Sequence, residues 1–374
     1  MIKRTLQKII EKNLFKGNII IIYGARQVGK TTLVKQIIAN SKEESKYLNC
    51  DILSVKGQLK DPEPEKLKFF LGNAKLIVLD EAQNIENIGL ILKVLTDTYK
   101  DLQIIATGSS SFDLANKINE PLTGRAVEFK LYPLSIQEIK ESEDLFSVES
   151  KIEKLLTLGS YPEAFLLGKE EAIQKIDQIS SSYLFKDILS LEGIKKPNVL
   201  ANLLKILALQ VGNEVNYNEL SKNLGIDRKT VENYIDLLEK CFIIFKLNAF
   251  SRNLRKEISK SFKIYFYDLG IRNSLIQNYN SLDMRSDVGV LWENFCIIER
   301  IKRNNYNNIY ANYYFWRTYT QKEIDFIEER EGKLFAYEMK WKKEMKSVPK
   351  EFLEEYKNSE FEVVNRENYY KFLL

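Results

Sequence analysis

Residues Gly24 to Thr31 read Gly-Ala-Arg-Gln-Val-Gly-Lys-Thr, the spacing G-x-x-x-x-G-K-[ST] of a phosphate-binding loop. Gly24 and Gly29 free the backbone to turn successive N–H groups toward phosphate oxygens, and the following helix adds the positive end of its dipole. Lys30 is placed to bridge β- and γ-phosphates, and the Thr31 hydroxyl to ligate Mg²⁺. The cradle expected for ATP is therefore Gly24, Ala25, Arg26, Gln27, Val28, Gly29, Lys30, Thr31 and Thr32. A second apolar run, Lys75 to Leu79, ends in Asp80 and Glu81. Next to a phosphate loop, Asp80 reads as the metal-side acid and Glu81 as the base that polarises water; the bland alternative is a cap on the next helix. A third run, Gln103 to Thr107, leads into Gly108-Ser109-Ser110-Ser111, where hydroxyls, Ser109 among them, can meet the γ-phosphate or the water.

A separate set of charges lies near the C-terminus. Asp325 sits in one short strand pattern, and Glu338-x-Lys340 in a second, joined by the turn Glu331-Gly332. Two residues apart on a strand, Glu338 and Lys340 point to one face, so the acid can hold a divalent ion while the ammonium positions water. The set Asp325, Glu338, Lys340, with Glu293 on an upstream helix, resembles the D…(D/E)-x-K core of restriction-endonuclease-like nucleases, which implies a second Mg²⁺ or Mn²⁺. An alternating surface strand can also read Glu-x-Lys.

These residues need elements to hold them. The run Asn18–Tyr23 before the loop has the β-branched continuity of a buried parallel strand, and Thr32–Ile38 after it has helical spacing. Residues 1–133 alternate strand and helix patterns, as a doubly wound parallel sheet requires. Residues 134–191 are helical by periodicity and are expected to form a lid, interrupted by the turn Gly159-Ser160-Tyr161-Pro162-Glu163, in which Tyr161 and Glu163 either touch nucleotide or pack. Residues 192–267 read as a winged helix-turn-helix: Leu220 and Leu224 mark one helix, Gly225 the turn, and Asp227 the N-cap of a second. Arg228 and Lys229 start that helix, and Arg252 and Arg255 lie in a cationic stretch from Lys246 to Lys263, making these four the candidate DNA contacts. Protein-binding winged helices show similar charges. Residues 268–374 complete the chain as an α/β nuclease-like domain.

Composition narrows the chemistry. The 374 residues contain no histidine, which removes imidazole bases and His-ligated zinc, and a net charge of +4 does not by itself indicate nucleic acid. Cys50, Cys241 and Cys296 lie far apart without metal-ligand spacing and read as reduced core thiols of a cytoplasmic protein. The N-terminal residues Met1 to Lys8 alternate charges through an amphipathic helix without a signal-peptide core, and no apolar run reaches the ~18 residues of a membrane span.

The segments Gly24–Leu33, Leu79–Gln83, Thr107–Ser111, Leu122-Thr-Gly-Arg125, Leu131-Tyr-Pro-Leu-Ser-x-x-Glu138 and Gly159–Glu163 together resemble prokaryotic AAA-type ATPases of the archaeal-ATPase-like group that carry a C-terminal DUF4143 domain. The likeness covers nearly the whole chain. It implies ATP binding and hydrolysis with Lys30, Thr31, Asp80 and Glu81 in the matching positions. Arg125 lies where related ring ATPases place an arginine that reaches a neighbouring subunit's γ-phosphate, which implies a homo-oligomer; the alternative is an arginine capping helix carbonyls after Gly124.

Overall fold

The run Ile-Ile-Ile-Ile-Tyr forms strand β1 (Ile19–Tyr23), every residue of which is buried. Burial on both faces calls for parallel neighbours. In the computed structural model, which describes residues 2–109, 122–142, 145–181, 196–250, 261–318, 322–342 and 349–374, β1 has them. It joins β2 (Ser45–Asn49), β3 (Leu76–Asp80), β4 (Gln103–Gly108) and β5 (Ala126–Lys130) in a five-stranded parallel sheet ordered β2-β3-β4-β1-β5. Strand β4 is thus inserted between the strand that feeds the phosphate loop and the strand that ends in the acids. Their C-terminal ends lie along one edge, where ligands of open α/β sheets bind.

The chain divides into two compact units, residues 1–132 with 240–242, and residues 133–239 with 243–374. In the first, the helix Thr5–Glu11 follows an Arg4 whose side chain is buried. Its guanidinium donates to the carbonyls of Val28 (2.6 Å) and Tyr132 (2.5 Å) and so ties the phosphate loop to the second residue after β5.

The second unit opens with a capping box. The Ser135 N–H donates to the Glu138 carboxylate (3.0 Å) and the Glu138 N–H to the Ser135 hydroxyl (3.2 Å), which starts the helix Ile136–Ser142 and accounts for the Ser-x-x-Glu of the segment 131–138. Helices Leu145–Ser150, Ile152–Leu158, Pro162–Leu166 and Lys169–Ile179 follow; residues 182–191 of the expected lid lie outside the described residues. Gly159 takes φ 73° where a β-carbon would run into the Asp268 carboxylate, and Asp268 accepts the Ser160 N–H at 2.6 Å. Tyr161 is buried and Glu163 pairs with Lys175 at 2.7 Å, so this turn packs.

The helix-turn-helix forms from local signals. Asn216 caps the helix Tyr217–Leu224, Gly225 turns left-handed at φ 63°, and Asp227 accepts the Thr230 N–H (2.9 Å) at the head of Arg228–Lys240. The flanking strands depart from a free-standing wing. β6 (Glu214–Val215), β7 (Ile244–Ala249) and β8 (Phe262–Phe266) share one seven-stranded sheet with β9 (Asn312–Arg317), β10 (Glu323–Arg330), β11 (Lys333–Met339) and β12 (Ser359–Val364), ordered β12-β11-β10-β9-β7-β8-β6. Parallel pairing of Asn248 with Tyr314 and Ala249 with Phe315 carries the sheet across the boundary expected at 267/268. The β10–β11 hairpin turns at Glu331 and Gly332, both at positive φ, the pattern that matches strand twist.

Candidate nucleotide-binding site and a buried carboxylate cluster

Gly29 takes φ 98° and Gln27 φ 62°, the left-handed turns that curl the phosphate loop back onto the head of the helix Lys30–Asn40. Gly24 admits no side chain, because a β-carbon would overlap the Leu131 carbonyl oxygen. Lys30 is buried, and its ammonium donates to the carbonyls of Gly24 (2.9 Å) and Ala25 (3.0 Å). Burial pushes this ammonium below the ordinary lysine value, while Glu81 and Asp80 oppose the shift. A phosphate held at the loop would supply the negative charge that these carbonyl dipoles do not.

Asp80 is the hub of the site. Its Oδ2 accepts the hydroxyls of Thr31 (2.7 Å) and Tyr47 (2.6 Å), and its Oδ1 that of Thr107 (2.5 Å). Thr107 reaches it because β4 lies beside β3. The all-oxygen pair of Thr31 hydroxyl and Asp80 carboxylate fits a hard cation such as Mg²⁺. Glu81 stands just past β3 at φ 55°, and its carboxylate accepts from Gln83 Nε2 (2.6 Å). The same amide nitrogen lies 3.3 Å from the Ser109 hydroxyl, so Glu81 and Ser109 share one clamp; Ser110 and Ser111 lie outside the described residues. Cys50 is buried nearby, its thiol pushed up to about 12 by burial and then by Asp80, which keeps it unreactive. Tyr47 and Arg4 escaped the sequence reading, since neither lies in a motif, and Gln83, which ends the segment Leu79–Gln83, was given no role there.

Arg125 is not brought to this edge. It immediately precedes β5, whose Ala126 pairs with Ile19 at the start of β1, whereas the phosphate loop leaves β1's far end after Tyr23. Five strand residues at ~3.3 Å each separate the two edges. There the guanidinium grips the Asp97 carboxylate with two bonds, at 2.9 and 3.2 Å, both partners being partly exposed.

The second unit gathers the C-terminal acids. Phe326 pairs with Tyr337 across β10 and β11, and one step further the Met339 N–H donates to Asp325 Oδ2 at 2.8 Å. Lys340 Nζ lies 3.0 Å from Glu338 Oε1, as strand periodicity required. Glu293, on the helix Val288–Tyr306, accepts the Tyr265 hydroxyl at 2.6 Å. Burial drives the Asp325 carboxyl well above the ordinary range, and Glu293 and Glu338 add to the rise. Lys263 corrects the sequence reading: counted among the basic charges of a wing, it is buried, 3.4 Å from Glu293 and ion-paired with Glu323. Burial alone would lower its pKa, but Glu293, Asp325 and Glu323 outweigh that and hold the ammonium charged.

The cationic face of the helix-turn-helix is accordingly smaller than composition indicates. Arg228 bonds Glu232 at 2.8 Å, Lys229 is 3.6 Å from the same residue, and Lys246 is 3.5 Å from Asp236. Arg252 and Arg255 lie outside the described residues.

Comparison with known proteins matches an AAA domain to residues 16–140, domain of unknown function DUF8612 to residues 149–282 and domain of unknown function DUF4143 to residues 288–372. An uncharacterized protein of Mycobacterium tuberculosis is 26% identical over 336 residues, covering 88% of this chain and 72% of the relative. One from Methanocaldococcus jannaschii is 29% identical over 354 residues, covering 88% of this chain and 76% of the relative. Among solved structures, a signal transduction ATPase with numerous domains and a tetratricopeptide repeat sensor from Pyrococcus horikoshii overlaps with a TM-score of 0.32 at 13% identity, over 83% of this chain and 48% of that one. Cdc6p from Pyrobaculum aerophilum overlaps with a TM-score of 0.30 at 14% identity, over 73% of this chain and 92% of that one. Among the described residues no helix is long and apolar enough to cross a membrane.

Proposed function

For a chain that joins an N-terminal AAA domain to a C-terminal DUF4143 domain, and so belongs with ATPase-type proteins, we propose Mg²⁺-dependent hydrolysis of ATP at the phosphate loop. The observation that carries this reading is the meeting of Thr31, Asp80 and Thr107 at the ends of adjacent elements, 2.5–2.7 Å apart, beside a buried Lys30. Lys30 offsets charge on the β- and γ-phosphates; Thr31 and Asp80 hold the Mg²⁺, which when bound neutralises phosphate charge. Glu81, fixed by Gln83, takes a proton from the attacking water, with Ser109 beside it. Lys30→Ala should abolish tight ATP binding, Glu81→Gln should bind ATP and stop turnover, and Asp80→Ala should lose activity together with its Mg²⁺ dependence. Calorimetry with ATP and a phosphate-release assay read all three; turnover by Glu81→Gln near the wild-type rate would remove Glu81 as the base.

An Arg125 role in this hydrolysis is confined to a neighbouring copy's nucleotide, since Arg125 and the phosphate loop lie at opposite edges of one sheet. Inactive Arg125→Ala and Glu81→Gln proteins would then regain turnover on mixing. Turnover that stays independent of concentration in a strictly monomeric wild type excludes it.

The nucleotide state, in this proposal, controls how the C-terminal modules engage DNA. Support comes from the exposed Lys229 and the half-exposed Arg228 at the head of the second helix. A protein partner is the competing occupant, favoured by the pairing of both cations with Glu232. DNA binding that weakens steeply with salt selects the first reading, and no salt-dependent binding selects the second.

A further inference from the structure

We propose that the Lys263 ammonium stands where a divalent cation would have to sit among Glu293, Glu323 and Asp325, and that the cluster therefore works as a metal-free polar core. With Lys263 in place the cluster does not fit a metal. Mg²⁺ and Mn²⁺ favour oxygen donors converging in an octahedron of about six ligands. Here one oxygen of each carboxylate is committed to a protein donor. Glu293 Oε1 takes Tyr265 and Lys263, Glu323 takes Lys263, Asp325 Oδ2 takes the Met339 N–H, and Glu338 Oε1 takes Lys340. Among the described residues no three acids converge on one ion position.

The ammonium cannot easily move aside. Lys263 lies on β8 with β7 and β6 paired on either side, at Leu247 and Glu214, and its ammonium is 5.5 Å from the centre of the Phe315 ring. Displacing it by an ion leaves a lysine inside the protein without its carboxylates, which is costly. A tethered cation on a strand paired on both sides thus balances charges that a nuclease would leave to a soluble one.

Mn²⁺ titration of the nucleotide-free full-length protein, read by electron paramagnetic resonance, tests this. In the wild type, Asp325→Asn should leave Mn²⁺ binding unchanged. Lys263→Met, with its fold checked by circular dichroism, should gain one Mn²⁺ per chain, and adding Asp325→Asn should weaken that site by at least about tenfold. The proposal falls if wild-type protein binds Mn²⁺ with an affinity that Asp325→Asn lowers about tenfold, or if folded Lys263→Met gains no ion. Should Lys263→Met not fold, the wild-type and Asp325→Asn pair decides alone. Neither result depends on ATP hydrolysis, which Lys30→Ala and Glu81→Gln probe separately.

Discussion

Two hydroxyls, Thr31 and Tyr47, donate to the same Asp80 oxygen, so when the Thr31 hydroxyl turns to a cation only Tyr47 still steers that oxygen. In the proposed reaction Tyr47 is a positioning residue, its hydroxyl held protonated because burial, and then the bond to Asp80, raise its pKa. Tyr47→Phe should leave ATP affinity near wild type, lower kcat about tenfold and raise the Mg²⁺ concentration for half-maximal rate, since a bond to a charged group is worth about 1.5–3 kcal/mol. Steady-state rates across a Mg²⁺ series check it; an unchanged Mg²⁺ requirement leaves Tyr47 as packing. Gly24→Ala should abolish nucleotide binding, because the added methyl meets backbone, the Leu131 carbonyl, and not a yielding side chain. The gathering of Lys30, Thr31, Asp80 and Glu81 at one edge of the sheet was legible because they stand at short spacings after apolar strands. Tyr47 was not: it sits at an ordinary strand position and acquires meaning only from the pairing of Tyr47 with Val78.

Among the elements, the helix-turn-helix was readable residue by residue, because its caps and its left-handed Gly225 are local. Asp227→Ala should cost about 1 kcal/mol, seen as a lower denaturant midpoint for the second unit with its slope unchanged. If the same helix meets phosphates, the double change Arg228→Ala and Lys229→Ala should flatten the slope of log affinity against log salt by about one counterion for each phosphate no longer neutralised. An unchanged slope makes them surface charge. The two strands after this helix were read as a wing because five or six residues of alternating pattern suit a wing and a larger sheet equally. What decides is the parallel partner β9, more than sixty residues downstream of β7, and no local signal announces it. The capping box at Ser135–Glu138 shows the opposite case, a motif whose meaning is wholly local.

Over the whole molecule, the 56 basic and 52 acidic residues suggest solvated faces, yet the second unit draws several of them inside: Arg300 with Glu328 at 2.8 Å, Lys302 with Glu299 at 2.7 Å, and Arg272 and Arg285 around Asp287. Burial would raise the Asp287 carboxyl, but bonds from Arg285 and Arg272 prevail and hold it at about 2, below the ordinary 3.8. Its contribution is therefore complete above pH ~4 and is lost as pH falls through about 2. Asp287→Asn should cost about 2 kcal/mol at pH 7, less than a fully buried pair because the carboxylate is 24% exposed, and the gap to wild type should close toward pH 2. Thermal melts at both pH values measure it; a constant gap would assign the loss to packing. The two sheets also differ in when they can exist. All five strands of the first have been synthesised by Lys130, whereas the second must wait for β12, which ends at Val364. Until then Glu293, Glu323 and Asp325 and the lysine that balances them in the folded unit lack the sheet that buries them together. A nascent chain of this protein thus presents a finished nucleotide sheet ahead of an unclosed one, and the interval between them is when chaperones have most to protect.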